Sequence, residues 1–539
     1  MRSVDDVLAE MTPEEKIGQL MHFGVVEDDS DWPSRDTERL IREYHVGAFR
    51  IYRQRHNAAF FRAYINQLQE WALSTRMQIP LIVSADCEDG LEVARDGVSR
   101  FLWPAGISAC HSLDITRQVA AQIARESLAV GVNLNQRPVA DVNSNPRNPI
   151  IGLRSPGDRP EQVAEQVEAA IVGAQAEGML TCVKHFPGHG DTAFDSHKEL
   201  NAATCSLEEM RQVHLVPFAR ALHAGVDAVM TAHIIYPCLD ADLPATLSQK
   251  ILTGLLREEM GFEGVIVTDN MVMQAIADHY SPEEGALLAF EAGNDLILSS
   301  QSLDKHIRIV EAFRQAYGDG RITEAQLNRS VRRVLRMKAS RDWFAASRLG
   351  SVEEAVHVCS NPLQRQFNTE VLCRALTWVK GGEPAPLAAG QTVCLTGVMH
   401  VPAVSAALLA RGQQVIAFPL ASANDANQWS PTAADVTKAV ALAEHADATV
   451  VLTFTGQSDL PAGQRRLLDE LKARKTNLVV VALGLPYEAS NTDGIHAYLL
   501  TYFQNVRPRP LPAVHAEVLA DVLTGAKKAS GRCPFDLTR

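Results

Sequence analysis

Short apolar runs alternate with longer stretches in which apolar positions recur three and four residues apart, from the start of the chain to about residue 340. The short runs fall at 19–25, 46–51, 81–85, 132–136, 180–184, 228–232, 265–268 and 295–298. Helical periodicity marks 57–73, 115–129, 160–176, 207–224, 248–260, 282–292 and 303–317. Eight strands separated by helices predict a (β/α)8 TIM barrel; an open doubly wound sheet is the alternative that the same alternation allows. Thr12, Pro13 and Glu15 read as N-cap, first-turn proline and capping-box acid. Residues 321–338 read as a basic helix that closes the barrel.

Residues 341–365 lack a clear period and are expected to be a linker between a catalytic barrel domain at 1–340 and a second domain at 366–539. A new alternation fills that domain, with strands at 392–395, 414–418, 449–454, 478–483 and 497–502 and helices such as 433–445 and 462–474. It predicts an α/β three-layer sandwich with a largely parallel sheet. No Gly-x-Gly-x-x-Gly or Walker loop is present, so nothing argues for a nucleotide.

Composition narrows the classes. The 539 residues carry a formal net charge of −13 with the acidic excess scattered, which argues against nucleic acid or an anionic membrane as partner. No apolar run approaches the roughly eighteen residues of a membrane span. The first residues, Met1 to Asp6, hold no apolar signal core. Nine cysteines, without a Cys-x-x-Cys pair, predict free thiols in a reducing compartment and hence a cytoplasmic protein.

Chemistry concentrates where strands end. The run from Lys184 through His185, Phe186, Pro187, Gly188, His189, Gly190, Asp191 and Thr192 to Asp195, Ser196 and His197 packs further polar groups behind a Lys-His pair. A strand that runs into a Gly/Pro-rich polar loop is a common way to place reactive groups on a scaffold. Asp195 beside His197 suits a dyad in which the carboxylate orients the imidazole and favours its protonated form, as a general acid that later serves as base requires. Taken alone, Asp-x-His is more often a solvated loop; its company here reverses that reading. Asp269 follows Val265-Ile266-Val267-Thr268 and suits a nucleophile, with a helix N-cap as the plain alternative. Asp86, Lys184, His185, His233 and Asp269 all stand where a strand gives way to its loop. Asp86, Arg154 and Lys184 are of the types that hold vicinal sugar hydroxyls.

With these motifs the chain resembles glycoside hydrolase family 3, in its N-acetyl-β-glucosaminidase branch. The carrying residues are Lys184–Thr192 with Asp195-Ser196-His197, Thr268-Asp269 with Met273, Met230-Thr231-Ala232-His233, the stretch 148–155 ending in Arg154-Ser155, and 11–20. The segment 446–448 and Ser530-Gly531-Arg532-Cys533-Pro534 extend the resemblance more weakly into the second domain. It implies retaining hydrolysis of terminal, non-reducing β-linked N-acetylglucosamine. Asp269 would form a glycosyl-enzyme ester, and His197, held by Asp195, would act as acid/base where most retaining glycosidases use a second carboxylate. Asp86, Arg154, Lys184, His185 and His233 would bind substrate. The family's Asp-x-Glu-Gly-Gly-Arg segment here reads Asp86-Cys87-Glu88-Asp89-Gly90-Leu91, and Arg95 stands one position from where a downstream family arginine is expected.

Three other readings compete. A metal-dependent barrel hydrolase would draw on His185, His189, His197, His233, Asp191 and Asp269. Such barrels usually open with His-x-His and close with Asp, whereas this chain offers only His22 near the first strand and Leu298-Ser299-Ser300 at the last; no metal and no cofactor are therefore expected. A sugar-binding relic is the non-enzymatic reading, against which the intact triad of Asp195, His197 and Asp269 speaks. Phosphorolysis is the third, since a neutral histidine would not repel incoming phosphate as a carboxylate would. The expected partner is a carbohydrate, either a muropeptide or a chitooligosaccharide. The second domain is expected to give no catalytic group but stability or dimer contacts, so a homodimer stays open.

Overall fold

A computed structural model describes the chain apart from residues 1–2, 29–31, 53–55, 92–93, 194–199, 342–348, 421–428, 457–458, 475–476, 506–508 and 539. The described residues form two compact units. The first holds eight parallel strands: β1 (Met21–Gly24), β2 (Ala48–Arg50), β3 (Ile82–Ala85), β4 (Leu134–Asn135), β5 (Leu180–Phe186), β6 (Ala228–Thr231), β7 (Val265–Thr268) and β8 (Ile297–Ser299). Their order is β7-β6-β5-β4-β3-β2-β1-β8. The ring closes because Thr268 N donates to Leu296 O at 3.1 Å and Leu296 N to Ile266 O at 3.0 Å, so the open-sheet alternative falls. Ala48, Ile82, Leu134, Leu180, Cys182, Ala228, Met230, Val265, Val267, Leu296 and Leu298 fill the interior. Val334 and Met337, from helix Glu324–Ala339, join that core. This is the expected closing helix. Its Lys338 ammonium donates to Gln19 Oε1 at 2.7 Å and Gly47 O at 3.0 Å, both just before their strands, which puts it at the N-terminal end of the barrel.

Two departures from the expected elements bear on the barrel mouth. β4 is short because side chains take over its ladder: Asn133 Oδ1 accepts from Val83 N at 2.8 Å, and Asn135 Oδ1 from Cys87 N at 3.2 Å. β5 is longer than expected and reaches Phe186, with a register shift against β6 between Val183 and Phe186. Such an irregularity re-aims the residues inside it, here Lys184 and His185. The capping box at Thr12 and Glu15 forms as expected.

The stretch expected to be an aperiodic linker holds helix Val352–Cys359, N-capped by Ser351 and packed on helix Ala58–Leu73 within the first unit. Helix Pro362–Ala375 then begins the last segment of the second unit. Short helices at Val4–Glu10 and Arg35–Arg42, of seven and eight residues, are also absent from the sequence expectation.

The second unit is discontinuous: it comprises Arg100–Ile115, Asn143–Gln162 and Pro362–Arg539. The early segments are stitched in by polar bonds, such as Asn368 Nδ2 to Arg100 O at 2.6 Å and Asn143 Nδ2 to the Tyr487 hydroxyl at 2.8 Å. Its sheet contains β9 (Thr377–Lys380), β10 (Thr392–Gly397), β11 (Gln414–Pro419), β12 (Ala448–Thr453), β13 (Leu478–Ala482) and β14 (Ala497–Leu500), in the order β9-β14-β13-β12-β10-β11. Only β9 runs antiparallel, on β14, and the hydrophobic pattern carries no sign of it. All nine cysteines are free.

Candidate active site

The site is built on strand ends at the C-terminal mouth of the barrel. β2 ends in Arg50 and β3 runs into Asp86, and the two side chains form an ion pair. From β5, the Lys184 ammonium reaches Asp86 Oδ1 at 2.6 Å and Glu88 Oε1 at 2.8 Å. Burial would raise the pKa of Asp86, but Arg50 and then Lys184 outweigh it and hold the carboxyl below the usual carboxylate range. Asp86 is therefore an ionised acceptor between two fixed cations, a geometry suited to sugar hydroxyls. His22 lies below, with Nε2 2.7 Å from Ser84 Oγ; burial, with Arg50 adding to it, brings its pKa down to about 3, so it is neutral.

Asp269 follows β7. Its Oδ1 accepts from Asn270 N at 2.7 Å, and its Oδ2 lies 4.0 Å from His185 Nε2. The next helix, Gln274–Ala277, has Met273 at its N-cap position, so the N-cap reading of Asp269 does not hold. Asn270 braces the same corner: its Nδ2 donates to the Tyr52 hydroxyl at 3.1 Å, and its Oδ1 accepts from Ser300 N at 3.2 Å. The Tyr52 ring carries the Arg50 guanidinium at 4.4 Å and so connects the Asp86 and Asp269 sides of the mouth. His233 is buried beside this corner, with Nδ1 2.8 Å from Thr246 Oγ1 and Nε2 3.2 Å from Asn270 O.

The other ring nitrogen of His185, Nδ1, sits 2.7 Å from Asp141 Oδ2. Asp141 arrives there because the chain, after β4, returns beside β5: Ala140 N donates to Lys184 O at 2.7 Å. Beyond β5 the turn needs its glycine. Gly188 has φ +137°, and a Cβ there would lie 2.9 Å from the Cβ of His214. The Tyr236 hydroxyl donates to Gly188 O at 2.8 Å, and Asp191 Oδ2 accepts from Thr204 N at 2.8 Å.

Asp86, Lys184, His185 and Asp269 thus converge as the sequence suggested, while Asp195 and His197 lie outside the described residues. Arg95 sits in the short strand Ala94–Asp96, with its side chain outside the described residues. Arg154 ends the one-turn helix Gly152–Arg154 in the second unit. Sequence reasoning missed Arg50, Glu88, Asp141 and Tyr52. Arg50 carried a usable signal, since it is a lone charge inside the apolar run 46–51, near its C-terminal end; Asp141 stood too far beyond its strand to be read from a strand end.

The family model for the glycosyl hydrolase family 3 N terminal domain matches residues 12–337. This chain belongs to glycosyl hydrolase family 3. A beta-hexosaminidase A from Pseudoalteromonas piscicida is 32% identical over 376 residues, 65% of this chain and 62% of that one. A beta-N-acetylglucosaminidase/beta-glucosidase from Cellulomonas fimi is 30% identical over 387 residues, 70% of this chain and 66% of that one. The chain therefore spans just under two thirds of the length of these curated relatives. Among solved structures, a glycoside hydrolase family 3 beta-N-acetylglucosaminidase from Paenibacillus sp. str. FPU-7 matches with a TM-score of 0.84 at 30% identity, over 98% of this chain and 99% of that one. A beta-glucosidase from Listeria innocua, at 20% identity and a TM-score of 0.78 over 99% of this chain and 76% of that one, is similar in fold.

Proposed function

We propose that this family 3 chain is a retaining exo-glycosidase that removes terminal, non-reducing β-linked N-acetylglucosamine. The observation that carries the reading is the pairing of two carboxylates in one barrel mouth: Asp269 beside His185, and Asp86 held between Arg50 and Lys184. In the proposed reaction the Asp86 group and Lys184 bind ring hydroxyls, while Asp269 attacks the anomeric carbon and displaces the leaving oxygen to give a glycosyl ester. His197, with Asp195 as its partner, protonates the leaving oxygen and then takes a proton from the incoming water. Asn270, Tyr52 and His233 brace the nucleophile's loop. Lys184 and Arg154 are proposed substrate ligands, and Arg95 a further one. The names of the relatives support N-acetylglucosamine as the sugar. A cytoplasmic, reducing setting suits nine free thiols, and a role in turnover of cell-wall or chitin fragments would supply such sugars.

The test is product analysis on a chromogenic β-N-acetylglucosaminide, a muropeptide and chitobiose, each with and without inorganic phosphate. Release of N-acetylglucosamine with retained β configuration is expected. A sugar 1-phosphate in the phosphate arm would instead establish phosphorolysis, and no turnover in any arm would end the proposal.

A further inference from the structure

Asp141 is completely buried, yet the proposed reaction asks nothing of a carboxylate at that position. Its contacts are specific. Oδ2 lies 2.7 Å from His185 Nδ1, and Oδ1 accepts from the backbone of His189 at 2.7 Å and of His185 at 3.2 Å. Burial alone would raise its pKa, but the attraction of His185 and the bond from it, with His189 adding, keep it below the usual carboxylate range. An ionised carboxylate can only accept, so the hydrogen in the Asp141–His185 contact belongs to the ring. In its neutral form the ring carries only that one N–H. With that hydrogen on Nδ1, the nitrogen facing Asp269 at 4.0 Å, Nε2, holds a lone pair.

We infer that Asp141 is a positioning residue of this centre: it keeps the His185 hydrogen on Nδ1 and so presents Nε2 to the bound sugar as an acceptor beside the nucleophile. The inference rests on the glycosidase reading above. The alternative tautomer would be harmful here. A hydrogen on Nε2 would lie on the side of Asp269 Oδ2, 4.0 Å from that nitrogen, and its positive end there favours the carboxylate in the ground state and so lowers its nucleophilicity. The same carboxylate ties down His189, so ring state and loop start are set together.

Asp141→Asn separates the two duties. The amide oxygen can still accept the backbone N–H groups, while the amide NH2 faces Nδ1 and drives the ring hydrogen to Nε2. Histidine-selective ¹⁵N labelling reports the tautomer, with the His185 signals identified by their loss in His185→Gln. The wild type is expected to carry hydrogen on Nδ1 and Asp141→Asn on Nε2. The variant is expected to melt near the wild-type temperature and to lose about a hundredfold in kcat/KM, some 2.7 kcal/mol. A hydrogen on Nε2 in the wild type would overturn the inference without any variant. A switched tautomer with kcat/KM within threefold of wild type would overturn it as well. Should the wild type fail to cleave N-acetylglucosaminides at all, the function reading falls while the tautomer result still decides what Asp141 does to His185.

Discussion

The Lys184 ammonium lies 2.8 Å from Glu88 Oε1, with the two side chains only 2% and 4% exposed. Glu88 thus supplies the charge that lets Lys184 stay buried while it also holds Asp86. Without it, the positive excess would fall on Asp86 and compete with sugar hydroxyls for that carboxylate. Glu88→Gln is therefore expected to raise KM about tenfold with kcat changed less than about threefold, and to lower stability by about 1–3 kcal/mol. Steady-state kinetics and urea unfolding check both figures; an unchanged KM would show that Glu88 is only a structural counter-ion.

Asp269→Ala is expected to reduce turnover by at least about a thousandfold, or roughly 4 kcal/mol of transition-state stabilisation. The proposed ester forms on this carboxylate, which directly follows β7 with Oδ2 4.0 Å from His185 Nε2. Activity within tenfold of wild type would remove it from that role.

His197→Ala is expected to slow substrates with poor leaving groups far more than activated aryl glycosides, because an acid matters only where the leaving oxygen needs a proton. Asp195→Ala should follow the same pattern. Equal losses on a nitrophenyl glycoside and on chitobiose would count against the dyad.

The barrel was legible because its signal is local. Each strand is a short apolar run, and the expected strand at 265–268 is the observed Val265–Thr268. Site residues directly at strand ends, Asp86 and Asp269, could be read from that placement alone. What stayed hidden depends on the chain's return paths. Asp141 reaches His185 only because the segment after β4 folds back along β5, through bonds such as Ala140 N to Lys184 O. Tyr52 reaches Asn270, 218 positions away in sequence, only once β1 and β8 close the ring between them. The discontinuous second unit was hidden for the same reason: Arg100–Ile115 and Asn143–Gln162 look like barrel connections by position, and only their contacts assign them elsewhere.

Lys338 gives a stability prediction that is independent of catalysis. It is fully buried under the barrel, and burial pulls its pKa from 10.5 down to about 7. Below about pH 7 both folded and unfolded chains hold the proton, and the charge costs the folded state a constant amount. Between about 7 and 10.5 the unfolded chain still binds the proton while the folded one has released it. Stability contributed by this group therefore rises with pH across that window, by up to about 1.4 kcal/mol per pH unit. Other groups titrate in the same range, so the comparison must be with Lys338→Met, in which they are unchanged. That substitution also removes the donor to Gln19 Oε1 and Gly47 O, which shifts its stability by an amount that does not vary with pH. The slope, not the offset, is the readout. Urea unfolding at pH 6.5, 8 and 9.5 should show the wild type gaining on Lys338→Met at each step above 7. Parallel curves across all three would mean that Lys338 keeps its proton in the folded state and that its two acceptors, rather than burial, decide its charge.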